Sequence, residues 1–327
     1  MFDLAPVDKL EVQVLVDNGI DLLSSVPVYA ESQATYLLRT RRMPVFAAKC
    51  LCCAAHGFSC LVIVYRGSQK HTMLFDTGPE PYAFARNCER LNADLGAIEG
   101  ILLSHGHFDH AGGLLEALDA IRKQNGHDPV PFYAHPDMFR SRALMLPNGT
   151  IVPLEDIPGI DTLTEYGARV IQSATAQNIL DGMFYISGGI PRVTPFERGF
   201  PGHYRKTADG KGWEPDPLIM DERFLAVNVA GKGLIVFSGC SHAGIINVLQ
   251  CARSEMTQTA LFGLIGGLHL AGMNEPIIPQ TVEAMREFRL SVIGVGHCTG
   301  WRAVNALTTA FGDQVVTPCV VGTRYVF

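Results

Sequence analysis

Three histidines and one aspartate fall within six residues of the stretch Ser104-His105-Gly106-His107-Phe108-Asp109-His110-Ala111-Gly112-Gly113. The apolar run Ile101-Leu102-Leu103 precedes them, and Leu114, Leu115, Leu118 and Ile121 follow at helical spacing. The run reads as a buried strand and the leucines as one face of a helix. Four ionisable side chains have no structural reason to crowd the end of an apolar strand. They mark an active-site loop on a sheet-based scaffold, where chemistry sits at strand ends.

A histidine pair at i and i+2 on an extended segment projects from one side. The Asp-His pair on the first helical turn faces back toward it. This supplies two nitrogens for one metal ion, and a carboxylate with a nitrogen for a second. Such ligands suit zinc, and also iron or manganese. Two ions about 3.5–4 Å apart clamp the oxygens of a reacting ester or phosphate and activate water. Each ion needs further ligands from elsewhere. The last hundred residues offer them. Strands at 234–237, 261–265 and 292–295 are each followed by a loop and a helix, the helices at 244–256, 279–288 and 301–311. The three loops carry His242, His269 and His297. A strand at 315–321 closes the chain.

Upstream, residues 10–17 alternate apolar and polar and read as a strand. Strands at 59–65 and 72–75 form a hairpin that ends in Asp76-Thr77-Gly78-Pro79, and a helix spans 80–95. The helix after the histidine stretch runs to about Gln124, and a short strand covers 131–135. From 136 to 223 the periodicity weakens and prolines and glycines are frequent. This reads as an irregular insert shaping the substrate pocket of a single domain, 1–327. Within it, 199–217 is polar and rich in Gly and Pro, a long surface loop. A strand at 184–187 leads into Gly188-Gly189-Ile190-Pro191-Arg192, a turn and a cation suited to hold a phosphate or carboxylate.

Composition narrows the partners. The chain has 327 residues, 47% of them hydrophobic, enough for a large core. A net charge of −6 with no long basic run excludes nucleic acid. No stretch of about 18 apolar residues exists to span a membrane. Nine cysteines, an odd number with no secretory signal ahead of them, read as reduced thiols in a cytoplasm. Cys50-x-Cys52-Cys53 lacks a second pair at zinc-ribbon spacing. His56, His71, His127, His135 and His203 read as ordinary polar residues.

His105-x-His107-x-Asp109-His110, preceded by Phe75-Asp76-Thr77-Gly78, resembles the metallo-β-lactamase superfamily. Further motifs resemble its branch of 7,8-dihydropterin-6-methyl-4-(β-D-ribofuranosyl)aminobenzene-5′-phosphate synthases. They are Leu15-Val16-Asp17-Asn18, Ser187-Gly188-Gly189-Ile190-Pro191-Arg192, Gly239-Cys240-Ser241-His242-Ala243-Gly244-Ile245, Gly266-Gly267-Leu268-His269-Leu270 and His297-Cys298-Thr299-Gly300. The resemblance implies an α+β fold, an αββα sandwich of two mixed sheets flanked by helices, with two metal ions at one edge. It implies that His105 and His107 hold one ion, that Asp109 and His110 hold the other, and that His297 completes the second site. The family's bridging aspartate and its Gly-His-Thr segment are both missing. His242 is expected to take the bridging aspartate's place, with a Cys240 thiolate as second choice. Asp76 is expected to orient a ligand histidine or the water, and His269 to protonate a leaving group.

The implied activity is hydrolysis of an ester or phosphate-containing small molecule. A synthase reaction on a pterin diphosphate is the alternative within the family. A non-enzymatic metal sensor is a third reading. A serine or cysteine hydrolase built on Gly239-Cys240-Ser241-His242-Ala243 misses the G-x-S-x-G spacing.

Overall fold

The computed structural model describes residues 3–327. Eight strands form one sheet, in the spatial order Ala30–Glu31, Arg324–Val326, Lys9–Val16, Ser59–Arg66, Gln69–Phe75, Gly100–Leu102, Val130–Ala134 and Ala168–Gln172. Pairing is antiparallel as far as Gln69–Phe75 and parallel beyond it. Seven strands form a second sheet, in the order Gln177–Ile179, Phe184–Ile186, Phe224–Val229, Gly233–Ser238, Leu261–Gly267, Val292–Gly296 and Val316–Pro318. It repeats the plan, antiparallel up to Gly233–Ser238 and parallel after it.

Side-chain alternation explains the layers. In Gly233–Ser238, Ile235 and Phe237 join a core shared with Val12, Val62 and Phe75 of the other sheet. Val236, between them, joins a different core with Ile246, Leu249, Met285 and Leu307 of the outer helices. On the far side, Leu74 and Ile101 pack against Phe84, Leu91, Leu114 and Leu118 of the helices Pro81–Leu91 and Leu114–Gln124. Each such buried side chain stabilises the fold by about 1.5–3 kcal/mol. The order of layers is therefore helix, sheet, sheet, helix, the αββα sandwich expected.

Several boundaries differ from the sequence reading. The second helix stops at Leu91, because Asn92 turns left-handed at φ 52° and caps it. The closing strand expected at 315–321 is shorter, and a further strand that the sequence did not reveal follows it. Val316–Pro318 ends the second sheet, and Arg324–Val326 crosses to the first and pairs with Lys9–Val16. Val14 N–H donates to Thr323 O at 2.9 Å along this seam.

Residues 136–223 are more regular than their composition suggests. They supply an edge strand to the first sheet and two strands to the second. They also build a small antiparallel sheet, in the order Trp213–Pro215, His203–Lys206, Arg142–Met145 and Ile151–Pro153. Strands of three to five residues are too short to show a period of two, so of these the sequence located only Phe184–Ile186. The expected surface loop at 199–217 contains two of these strands, and His203 is 5% exposed. Among the described residues, no helix is long and apolar enough to cross a membrane.

Candidate metal centre

The site lies where parallel strands of both sheets end. Gln69–Phe75 delivers Asp76, and Gly100–Leu102 delivers the histidine stretch. Gly233–Ser238 delivers Cys240 and His242, Leu261–Gly267 delivers His269, and Val292–Gly296 delivers His297. Asp76, Ser241, His269 and His297 all have positive φ, between 46° and 62°. Non-glycine residues held there cost of order 1–3 kcal/mol each. The surrounding contacts must offset that cost, so the loop shapes are imposed by the site.

Two sets of donors converge. His105, His107 and His242 form one close set, and Asp109, His110, Cys240 and His297 form another, with ligand atoms in each within 4.8 Å of one another. Cys240 also belongs to a third set with His242 and His269. In the first set, His105 Nε2 and His107 Nδ1 lie 3.0 Å apart. His107 Nε2 and both ring nitrogens of His242 are buried without a hydrogen-bond partner. In the second, Cys240 Sγ is 3.1 Å from His110 Nε2 and 3.2 Å from His297 Nε2. Asp109 Oδ2 is 3.7 Å from His110 Nε2 and 3.4 Å from His297 Nε2.

A carboxylate or carboxamide holds each loop. Asp76 Oδ2 accepts from His110 Nδ1 and from Ser104 Oγ, both at 2.7 Å, and Asp76 Oδ1 accepts from Ser104 N–H at 2.7 Å. His105 Nδ1 lies 2.9 Å from Ser104 Oγ. His297 Nδ1 meets Asn18 Oδ1 at 3.1 Å, and His297 N–H donates to Asp17 Oδ2 at 2.8 Å. Glu222 accepts N–H bonds from His242 and Ala243, both at 2.6 Å. Asp221 accepts from Gly106 N–H at 3.0 Å and pairs with Arg142, which donates to Gly106 O at 2.8 Å. A Cβ at Gly106 would lie 2.2 Å from Met138 O, so only glycine fits between the two histidines. With Nδ1 engaged, His105, His110 and His297 each present Nε2 to the centre.

Protonation follows from burial. Burial first, and crowding by neighbouring histidines second, hold His105, His107 and His242 well below the usual histidine range, so their rings are neutral. Burial opposes charge on His110, but the Asp109 and Asp76 carboxylates raise it to about 9. Burial likewise opposes charge on Asp109, yet the His110 charge and the His297 contact keep it below the usual carboxylate range. A metal ion here would displace the His110 Nε2 proton.

A family model of the metallo-beta-lactamase superfamily matches residues 56–181. A 7,8-dihydropterin-6-methyl-4-(beta-D-ribofuranosyl)-aminobenzene-5'-phosphate synthase of Methanocaldococcus jannaschii is 31% identical over 263 residues, 79% of this chain and 86% of that protein. The chain belongs to the metallo-β-lactamase superfamily. A second protein of that organism, uncharacterized, is 28% identical over 78% of this chain and 88% of its own. The crystal structure of Tm1679, a metal-dependent hydrolase of the β-lactamase superfamily, superposes with a TM-score of 0.68 at 22% identity, covering 96% of this chain and 98% of that one. Unliganded yeast PDE1 shares the fold with a TM-score of 0.52 at 11% identity, over 99% and 100% of the two chains.

The donors fit the divalent ions of a metallo-β-lactamase centre. A tetrahedral ion with ligand bonds of about 2.0–2.1 Å has edges of about 3.3–3.4 Å. The donor separations of 3.0–3.7 Å bracket that value. Unpartnered buried nitrogens on His107 and His242 are the second sign of fit. His242 belongs to the first set, its ring 4.7 Å from His105 and 4.9 Å from His107, and it also groups with Cys240 and His269. Cys240, two residues nearer the strand end, belongs to the second set.

A cavity of about 500 Å³ opens over the donors, lined by His56, His107, Asp109, Cys240, His242, His269 and His297 among others. Leu144, Leu154, Phe200 and His203 of the 136–223 region line it too. His269 lies in it, with its ring 4.2 Å from His242. Asp76 lies beneath, fully buried, and touches His110 rather than the cavity. Gly188, Gly189 and Arg192 do not line it. Arg192 spends its guanidinium on the backbone oxygens of Ile190, Leu218 and Ile219. The turn at 188–192 is therefore anchored by a structural arginine. His56 and His203, read from sequence as ordinary, both face the cavity. His56 Nε2 is 3.7 Å from Asp109 Oδ2. No local motif marks either residue, because tertiary packing alone brings them there.

Proposed function

We propose that this chain is a metal-dependent hydrolase of small esters or phosphoesters. It would hold two divalent transition-metal ions, with zinc the best match to the nitrogen, sulfur and carboxylate donors. His105, His107 and His242 would hold one ion, and Asp109, His110 and His297 the other, with Cys240 shared between them. The observation that carries this reading is two close donor sets opening onto one cavity, the second holding the Cys240 thiol, which also groups with His242 of the first. When bound, such ions polarise a carbonyl or phosphoryl oxygen and lower the pKa of a water toward about 7.

The chain's own groups complete the chemistry. Asp76 fixes His110 and, through Ser104, His105. His269 faces the cavity with Nδ1 buried and unpartnered. Burial alone would lower its pKa, but Cys298, Glu222 and Asp109 together raise it. It is placed to give a proton to a leaving group. Phe108, Leu144, Leu154 and Phe200 would shield the apolar part of the substrate from water. No lysine or arginine of the described residues lines the cavity, so the ions and imidazoles would meet the reacting oxygens.

The test is a panel of phosphodiesters, phosphomonoesters, lactones and pterin diphosphates, assayed after reconstitution with zinc, manganese or iron. Hydrolysis that chelation abolishes is the expected result. Turnover indifferent to chelation, or fewer than one equivalent of metal after reconstitution, overturns the reading. A second reading is a pterin transferase that releases pyrophosphate, favoured by the 31% identity to the synthase. It predicts a carbon–nitrogen product from a pterin diphosphate and an arylamine, in place of hydrolysis.

A further inference from the structure

We infer that His203, at the start of an inner strand of the small sheet, forms a subsite for one phosphoryl or carbonyl oxygen of the substrate. The subsite lies over the His105, His107 and His242 set, with the substrate's apolar part against Phe200, Leu144 and Leu154. The inference rests on the hydrolase reading above and adds to it a residue that neither family motifs nor donor sets include.

Placement comes first. The His203 ring lies 5.0 Å from His107, 5.2 Å from His242 and 6.4 Å from His269, centroid to centroid. Phe200 packs on it at 4.8 Å. Despite this proximity, no close donor set of the described residues includes His203. It faces the centre without belonging to the cage. Its side chain is almost wholly buried, and Nδ1 has no hydrogen-bond partner. Buried polar nitrogens without partners are rare in native proteins and call for a specific explanation. A ligand oxygen supplies one. His269 Nδ1, on the same cavity wall, is also buried and unpartnered.

The ring is held rigidly. His203 N–H donates to Phe200 O at 3.0 Å, and His203 O accepts from Asp216 N–H at 2.9 Å. His203 pairs with Leu144 on the neighbouring strand, and directly paired residues share a face of a sheet. The imidazole and the apolar wall therefore arrive together. An imidazole offers one donor and one acceptor or two donors, which suits a phosphoryl or carbonyl oxygen. No lysine or arginine of the described residues is in the lining, and His203 is the polar side chain that the small sheet contributes to it.

The experiment uses metal-loaded, full-length protein as wild type, His203→Ala and His203→Gln. Three quantities are read: metal equivalents, the Kd of phenylphosphonate by calorimetry, and kcat and KM on the best ester of the panel. All three proteins should carry the same metal. His203→Ala should weaken phenylphosphonate about 10–100-fold, the loss expected for one hydrogen bond to a charged ligand. His203→Gln, which keeps an N–H and a C=O, should recover part of that loss. Unchanged binding in His203→Ala overturns the inference. So does loss of metal in His203→Ala, which would make the ring a ligand. Equal weakening in both variants with a lowered Tm would make its role structural and also overturns it. Wild type that binds phenylphosphonate through His203 but hydrolyses nothing would leave the subsite standing and remove the hydrolase reading. Wild type that does not bind phenylphosphonate removes the subsite whatever the panel shows.

Discussion

Cys240 Sγ lies within 3.2 Å of two histidine nitrogens of the second donor set and groups with His242 of the first. A thiolate there would serve where the superfamily places a carboxylate, while His242 would fill the place of the missing third histidine. His242→Ala should therefore lose metal. His269→Ala should keep it and lose turnover about 10²–10⁴-fold, the range for a general acid. Metal analysis beside kcat separates the two, and the reverse pattern would exchange their roles. Asp17 gives a different prediction. Burial raises its pKa from 3.8 to about 7, against two N–H bonds from Gly19 and His297. A raised carboxyl pKa favours the folded state at low pH. That advantage is complete below about pH 4 and is lost as pH rises through about 7. In metal-free protein, urea midpoints of wild type should fall across this window more steeply than those of Asp17→Asn. Parallel slopes would show that Asp17 titrates normally. The histidine stretch was legible because its ligands are local. Asp17, Glu222 and His203 were not read as parts of the site, since their partners lie up to 280 residues away in the chain.

The elements that carry ligands are held by other elements through backbone amides. Glu222 precedes Phe224–Val229 and grips the loop that follows Gly233–Ser238 with both carboxylate oxygens. In Glu222→Gln one of these oxygens becomes an NH₂ group, so one of the two amides loses its acceptor. Metal affinity at the first set should drop about 10–100-fold, as for other groups that orient ligands. Competition with a chromogenic chelator reads this directly, and an unchanged affinity would reduce Glu222 to a packing role. The two sheets meet closely here. A Cβ on Gly239 would lie 2.2 Å from Ser104 Oγ and 2.8 Å from Asp76 Oδ2. At this scale the sequence showed the three late strand-loop-helix units well, but not the helices Gln33–Arg39 and Ile160–Glu165 or the strand Ala168–Gln172. It concealed the small sheet, whose strands have three or four residues and whose turns dominate the composition. The Arg192 expectation failed for a related reason: an arginine near glycines looks like an anion site until its carbonyl partners are seen.

For the molecule as a whole, the centre lies where two separately cored halves meet. Each half packs a sheet against its own helices, and a third core joins the sheets. Ions that bind donors from both halves would clamp the sandwich. Removing them with a chelator should lower Tm by roughly 5–10 °C, and adding zinc back should restore it. A Tm indifferent to both would mean the halves hold together by the apolar layer alone. The order of layers was legible because the motifs of the resemblance span both halves. The crossing of the chain after residue 318 was not, because the last strand read from the sequence ended at 321 and the three residues of Arg324–Val326 are too few to show a period.

That crossing sets the timing of assembly during synthesis. Once Gly300 has emerged from the ribosome, every histidine of the centre exists. Lys9–Val16 still lacks one neighbour, because Arg324–Val326 supplies it. Asp17 and Asn18, which steady His297, extend directly from that half-paired strand. The second donor set thus stays tethered to an unfinished sheet until residues 324–326 dock, so its donors settle only after that strand has joined.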